Sequence, residues 1–483
     1  MNDSKCYLIL SFFDKKELRE FDNFVQSPFF NKEKSLIRLY QWIKNHFDRA
    51  ARRPLTRRMA YTRAFPDKPV PDNILNTNES CTLNILLSKL TKLIFRFMEW
   101  KEKERHEAYS NHLLLQSFLN RNATELFRLH LSQVYPVTDT STRISPATYH
   151  DQFLLEYDYS RWNFLQKNNI QKRDNLQVVS DNLTLYYLTR QFQLVFEMIT
   201  MRDTYKTNYD LDFLDDLFSI ATLPQFSSSP LVQTYMTAVK MVKDEDTHYF
   251  EQLKALLLKY SDNIAANAQN DLYILATNFC TRRVIAGQTE YLEELLRLYQ
   301  TMFEKKLLVE GEYIPVDKMK NIISVGVKLQ YFDWTEKFIE ESKNLISPRF
   351  RDSVYSFAMG AIHFYQNDFK KAVNHFIRVE DIDINYTLDG KSLMMKAYYD
   401  LDEDYSERTE QIFKSFVAYI KQNKVISSLN KEAYTNFTKT LISLYRIKHQ
   451  VGKRSIEVVE NRLNAYTRTS DKKWLLEKIA ELK

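Results

Sequence analysis

FAMGAIHFYQNDFKKAVNHF, Phe357–Phe376, is the stretch that decides the fold. Apolar residues recur at helical spacing up to Tyr365, Gln366-Asn367-Asp368 interrupt them, and a second helical pattern begins at Phe369. Gly360 stands inside the first pattern, although glycine in a helix interior costs about 1 kcal/mol relative to alanine. Close contact between two helices would offset that cost. The stretch is therefore either a lone helix hairpin or one unit of a stacked array.

The rest of the chain favours helices throughout. Only 6 of the 483 residues are glycine, against a usual share of roughly 7%. All six lie in the second half: Gly287, Gly311, Gly326, Gly360, Gly390 and Gly452. Tight hairpins, bulges and phosphate-cradling loops need glycine for positive φ, and this chain can build few of them. Its 44% hydrophobic content supplies enough material for burial, and 483 residues exceed one compact core. An all-α chain of several domains, or one elongated array, is expected.

Cys6, Cys81 and Cys280 match no disulfide or zinc spacing, which suits a reducing cytoplasm. CYLILSFF, near the start, is too short for a signal peptide and lacks a small-residue cleavage site, so a buried N-terminal element is expected. No run approaches the ~20 apolar residues of a membrane span. The net charge of +6 is uneven, since residues 1–130 carry 23 Lys/Arg against 15 Asp/Glu.

Polar breaks followed by an aromatic recur at VKDEDTHYF, IAGQTEY, LQYFDW, YQNDF and LDEDY. Their aromatics are Tyr249, Tyr291, Trp334, Phe369 and Tyr405, at intervals of 42, 43, 35 and 36 residues. Phe357–Phe376 resembles a tetratricopeptide (TPR) repeat in detail. Gly360 stands where that motif wants a small residue, Asn367-Asp368-Phe369 at its turn, and Ala372-x-x-x-Phe376 reproduces its second-helix pair. The flanking units match less closely: Gly326 lies 34 residues before Gly360, but Lys337 and Arg408 stand where alanine is expected. The resemblance implies an α-solenoid of antiparallel helix hairpins in a right-handed superhelix, with stacked first helices lining a concave groove that binds protein or peptide. Gln330, Phe364 and Tyr365 are its candidate groove positions.

Four regions are expected: an N-terminal basic helical domain over 1–108, irregular helix hairpins over 109–314, TPR-like repeats over 315–425, and C-terminal helices over 426–483. In the first, Leu18, Phe21 and Val25 mark one helix face, Asn31 is a candidate cap for the next, and Leu83 to Met98 keep a 3/4 apolar rhythm. KELREFDNFVQSPFFNK also resembles an uncharacterised bacterial helical family. Ser145-Pro146, Ser229-Pro230 and Ser347-Pro348 suit helix starts, and Asp174–Ile199 is apolar round much of its circumference, so burial is expected. SDKKWLLEKIAELK reads as a capped amphipathic end helix.

Chemistry is harder to find. Asp389-Gly390-Lys391-Ser392 ends like a phosphate loop but lacks the first glycine and a preceding strand, so a turn entering a helix is expected. Asp244, Asp246 and His248 alternate as metal ligands could, but they fall at a repeat turn, where acidic residues favour the following helix N-terminus, and His363 and His375 are expected on helix surfaces. No metal site, cofactor or catalytic constellation is expected. Arg49, Arg52, Arg53, Arg57, Arg58 and Arg63 form the one dense charge cluster. It is a solvated face, a protein contact or a phosphate footprint, with Arg52, Arg53, Arg57 and Arg58 as candidates. The sequence thus predicts a cytoplasmic, non-enzymatic protein- or peptide-binding scaffold. The alternative is a nucleic-acid-associated regulator whose Arg-rich domain touches phosphate.

Overall fold

The computed structural model describes residues 4–47, 56–70, 78–135, 143–165, 175–205, 207–379, 383–401, 404–452 and 455–483. Among them lie 24 α-helices and no strand, only isolated bridges at Ile144–Ile264 and Glu310–Tyr313. None of these helices is long and apolar enough to cross a membrane. The chain forms two compact units, one of residues 1–142 with 147–183, the other of 143–146 with 184–483. The first unit thus runs past the expected boundary at 108.

In the first unit, α1 (Lys5–Leu10), α2 (Lys15–Gln26), α3 (Lys34–Phe47), α4 (Arg57–Ala64) and α5 (Asn78–Arg105) share one core. A capping box starts α2: Glu17 N–H donates to Asp14 Oδ1 at 2.7 Å, and Asp14 N–H donates to Glu17 Oε2 at 3.2 Å. Leu18, Phe21 and Val25 are buried, as their spacing predicts. Asn31 does not cap α3. Its side chain is buried and its Nδ2 donates to Val25 O at 2.9 Å, tying the loop to the end of α2. Along α5 Leu83, Leu86, Leu90, Leu93, Ile94 and Phe97 are buried, but Leu87 is half-buried and Met98 exposed. Then α6 (Glu107–Asn120), α7 (Thr124–Val134) and α8 (Pro146–Leu165) pack around Leu115, Leu119, Phe127, Leu131 and Leu155.

The chain crosses between units within α9 (Leu176–Tyr205). This helix buries Leu188, Phe192, Val195 and Ile199, but leaves Leu176, Val178, Leu183, Tyr187 and Leu194 exposed, so it is covered on one side only. Two short helices, α10 (Leu214–Ala221) and α11 (Pro224–Ser227), lead into consecutive hairpins. These are α12 (Pro230–Asp244) with α13 (Thr247–Lys259), α14 (Ala266–Ile285) with α15 (Tyr291–Glu304), α16 (Val316–Lys328) with α17 (Phe332–Ser342), and α18 (Arg351–Tyr365) with α19 (Phe369–Phe376). First helices also touch across hairpins, α12 on α14 and α16 on α18. Pro146 and Pro230 begin helices as predicted, whereas Ser347-Pro348 opens a turn and α18 starts at Arg351.

Three of these four hairpins close their turns in the same way. At Gly287, Gln330 and Asn367 one residue takes a left-handed conformation, with φ of 95°, 62° and 61°. The next residue's N–H then reaches five residues back: Gln288 to Arg283, Tyr331 to Gly326, Asp368 to His363. This Schellman closure caps the first helix and reverses the chain. Because it repeats with Gln or Asn in the left-handed place, the array needs few glycines.

Gly360 and Gly326 both meet the opposite helix, but at different levels. A Cβ at Gly360 would lie 2.8 Å from Phe376 Cε1, and one at Gly326 2.2 Å from Thr335 Oγ1. Aligned on helix starts, Phe332 corresponds to Phe369 and Thr335 to Ala372, both of the latter fully buried. The small residue expected at Lys337 is therefore Thr335. The 34-residue offset between the glycines is not the repeat length.

After α20 (Ile384–Leu401) the pattern changes. Here α21 (Glu407–Gln422) packs chiefly on α22 (Ser428–Lys448), and α23 (Ile456–Ala465) and α24 (Lys472–Glu481) complete the core. Glu410 takes the place of Ala372, buried and bridged to Arg446 by Nε at 2.8 Å and Nη2 at 2.5 Å. Asp389-Gly390-Lys391-Ser392 lies inside α20, not at a turn before a helix. A Cβ at Gly390 would stand 3.6 Å from Phe357, an ordinary van der Waals contact, so the packing of α20 there does not require glycine.

Candidate functional site

A cavity of about 110 Å³ opens among α16, α18 and α20, lined by Val327, Lys328, Phe357, Tyr365, Asp389 and Lys396, among others. Residues 389, 392, 393 and 396 lie within one face of α20, since 3.6 residues complete a turn. The polar groups converge through two ion pairs. Lys320 Nζ lies 2.6 Å from Asp389 Oδ2, and the Tyr434 hydroxyl donates to Asp389 Oδ1 at 2.6 Å. Lys396 Nζ lies 2.6 Å from Asp471 Oδ2, to which Ser392 Oγ also donates at 3.2 Å.

Lys396 is the unusual member. It is only 5% exposed, and its ammonium faces Trp474 and Phe437 at 5.5 and 5.7 Å from the ring centroids. Burial pushes its pKa down against the pull of Asp471. Burial alone would raise the Asp471 carboxyl, but Lys396 with Lys328 and Ser392 outweighs it and holds that carboxyl below its usual range. Asp471 is also strained, at φ +50°, and stands at the N-cap of α24 without its side chain capping the helix. The expected capped end helix thus uses its capping carboxylate on Lys396 instead.

Burial and the charges of Asp471 and Asp389 push Tyr365 up to about 12, and burial with Asp389 raises Tyr434 as well. Both hydroxyls stay neutral at ordinary pH, and that of Tyr434 donates to Asp389. The lining holds two lysines, Lys328 and Lys396, and two carboxylates, Asp389 and Asp471; among the described residues Lys328 forms no ion pair. Such a surface orients a polar ligand. No group of three or more His, Cys, Asp or Glu able to hold a metal occurs among the described residues.

Of the sequence candidates, Tyr365 lines this cavity. Phe364 does not: it is 8% exposed and packs on Phe369 across the hairpin, ring centroids 5.7 Å apart. Gln330 is exposed in a turn, not on a helix face. Arg52 and Arg53, with Arg49, lie outside the described residues. Arg57 is half-buried and donates to Asn84 Oδ1 on α5, whereas Arg58 and Arg63 are exposed on α4, with no ion pair among the described residues.

His363 and His375 face each other across the hairpin with ring centroids 5.4 Å apart, so they are partners rather than isolated surface groups. Asp246 caps α13, accepting from His248 N–H at 2.8 Å. Sequence reasoning missed Lys320, Lys396, Tyr434 and Asp471. One signal was available: Lys396, in SLMMKAYY, interrupts an apolar run at the spacing of Asp389 and Ser392. Compared with family models, curated proteins and solved structures, the chain matches none of them.

Proposed function

We propose that this chain is a cytoplasmic, non-enzymatic scaffold, a TPR-like right-handed α-solenoid that binds a protein or peptide along its first helices. The observation that carries this is the cavity among α16, α18 and α20, where Tyr365, Lys328 and the two ion pairs present polar groups on an apolar floor. Recurrent turn closures and contacts between successive first helices support the solenoid. The three cysteines are free thiols, in keeping with a reducing compartment. The test is affinity capture from native lysate with the wild-type chain, Lys328→Glu and Tyr365→Ala, read by quantitative mass spectrometry. A partner retained by the wild type and lost from both variants is expected. Identical captured sets from all three would reject this site.

The second reading is a nucleic-acid-associated regulator, favoured by the exposed Arg58 and Arg63 on α4, which form no ion pair among the described residues. Its test is binding to duplex DNA and to RNA against salt. Affinity falling steeply with salt and weakened in Arg57→Ala/Arg58→Ala supports it. No binding at low salt removes it.

A further inference from the structure

The face of α20 opposite the cavity carries a second surface. At 100° per residue, the mean direction of Lys391 and Met394 lies roughly 160° round the helix from that of Asp389, Ser392 and Lys396. Two hollows of about 210 Å³ each flank them. The first lies towards α19, lined by Phe376, Ile377, Tyr386 and Gly390; the second lies towards α21, lined by Met395, Ile412, Phe416 and Tyr419. Lys391 and Met394 line both, so they form the ridge between them.

Three features say what this surface fits. The hollows are lined mainly by apolar side chains, with Thr387 and Ser415 among them: Phe376, Tyr386, Met395 and Phe416 are all at most 5% exposed, while Ile377, on the rim, is 64% exposed. The ridge includes a methionine, whose unbranched thioether moulds to a visitor. Above all, the ridge carries a cation. Lys391 is half-buried with its ammonium 5.5 Å from the Tyr419 ring, and no carboxylate among the described residues pairs with it. Lys396, on the opposite face, has Asp471. A half-buried lysine between two apolar hollows is matched by a carboxylate carried between two apolar side chains.

We infer that this face of α20 docks an acidic amphipathic segment of a partner protein, with one bulky apolar side chain in each hollow and an intervening Asp or Glu on Lys391. The inference rests on the scaffold reading but uses a different face, so the two can fail separately.

The test pans a phage-displayed library of random linear peptides against the full chain. The best peptide is then measured by fluorescence anisotropy against the wild type, Lys391→Glu, Ile377→Asp and Lys328→Glu. Enriched sequences should place Asp or Glu between bulky apolar residues. Lys391→Glu and Ile377→Asp, both reaching solvent and compatible with folding, should each weaken binding at least about tenfold, with Lys328→Glu unchanged. Enrichment of no such sequence, or equal affinity for Lys391→Glu, would overturn the inference. Loss confined to Lys328→Glu would also overturn it, moving the peptide to the cavity face and leaving the scaffold reading standing.

Discussion

Gly360 lies directly beneath the ring of Phe376, so close that a methyl group there would sit 2.8 Å from Cε1 and 2.9 Å from Cδ1. This one contact sets how near α18 comes to α19. Gly360→Ala gains about 1 kcal/mol in helix propensity, but overpacking a buried site costs roughly 1–3 kcal/mol. A net loss of about 1 kcal/mol is expected in urea denaturation, partly relieved when Phe376→Leu is added. Gly326→Ala should be rescued by Thr335→Ala, because that pair moves one small group across the same kind of interface. Strict additivity in either cycle would contradict the contact.

Gln330 holds φ at +62° in the turn between α16 and α17. A side chain in the left-handed region costs roughly 1–2 kcal/mol, which glycine avoids, less the entropy glycine loses on folding. Gln330→Gly is therefore expected to stabilise by about 0.5–1 kcal/mol. Lys337→Gly, on the exposed face of α17, should lose about 1 kcal/mol. Matched losses from both would show that the turn does not favour glycine.

The Lys396–Asp471 pair is lopsided: the lysine side chain is 6% exposed and the carboxylate 39%. Asp471→Asn strands a buried ammonium and should cost about 2–3 kcal/mol. Lys396→Met leaves a carboxylate that still reaches water, and should cost under about 1 kcal/mol. Chemical denaturation of both variants reads the asymmetry, and the reverse order would contradict it.

The all-α class was legible because glycine scarcity and 3/4 apolar spacing are local properties. The close hairpin at Gly360 was legible for the same reason, since Gly360, Ala372 and Phe376 fall within a single unit. The register of the neighbouring unit was not. Trp334 looks like its turn aromatic, yet the turn closes earlier, at Gln330, and α17 starts at Phe332. The cavity was mostly hidden, because Lys320, Lys396 and Asp471 are brought together only by helices distant in sequence. Tyr365, a candidate from its place on a first helix, lines the cavity; its neighbour Phe364, one helical step away, faces into the hairpin.

Glu410 gives the clearest pH signature. Hydrogen bonds from Arg446, outweighing burial, with Lys414 and Tyr405, hold its carboxyl at about 2 against an ordinary 4.5. A depressed carboxyl contributes stability that is fully present above 4.5 and lost as pH falls towards 2. That contribution is at most about 3 kcal/mol, since Arg446 and Lys414 stay partly in water. Wild type should exceed Glu410→Gln by that amount near neutral pH, with the gap closing between pH 4.5 and 2. A gap independent of pH would show that the carboxylate is not held by these partners.

The most direct test of the scaffold places a photo-crosslinking phenylalanine analogue at position 365, in the cavity, and at position 258, where Leu258 is 78% exposed on α13. Irradiation in cells followed by mass spectrometry should give a discrete protein adduct from position 365 and none of the same mass from position 258. No adduct at 365, or the same adducts from both positions, would contradict a partner bound along the first helices.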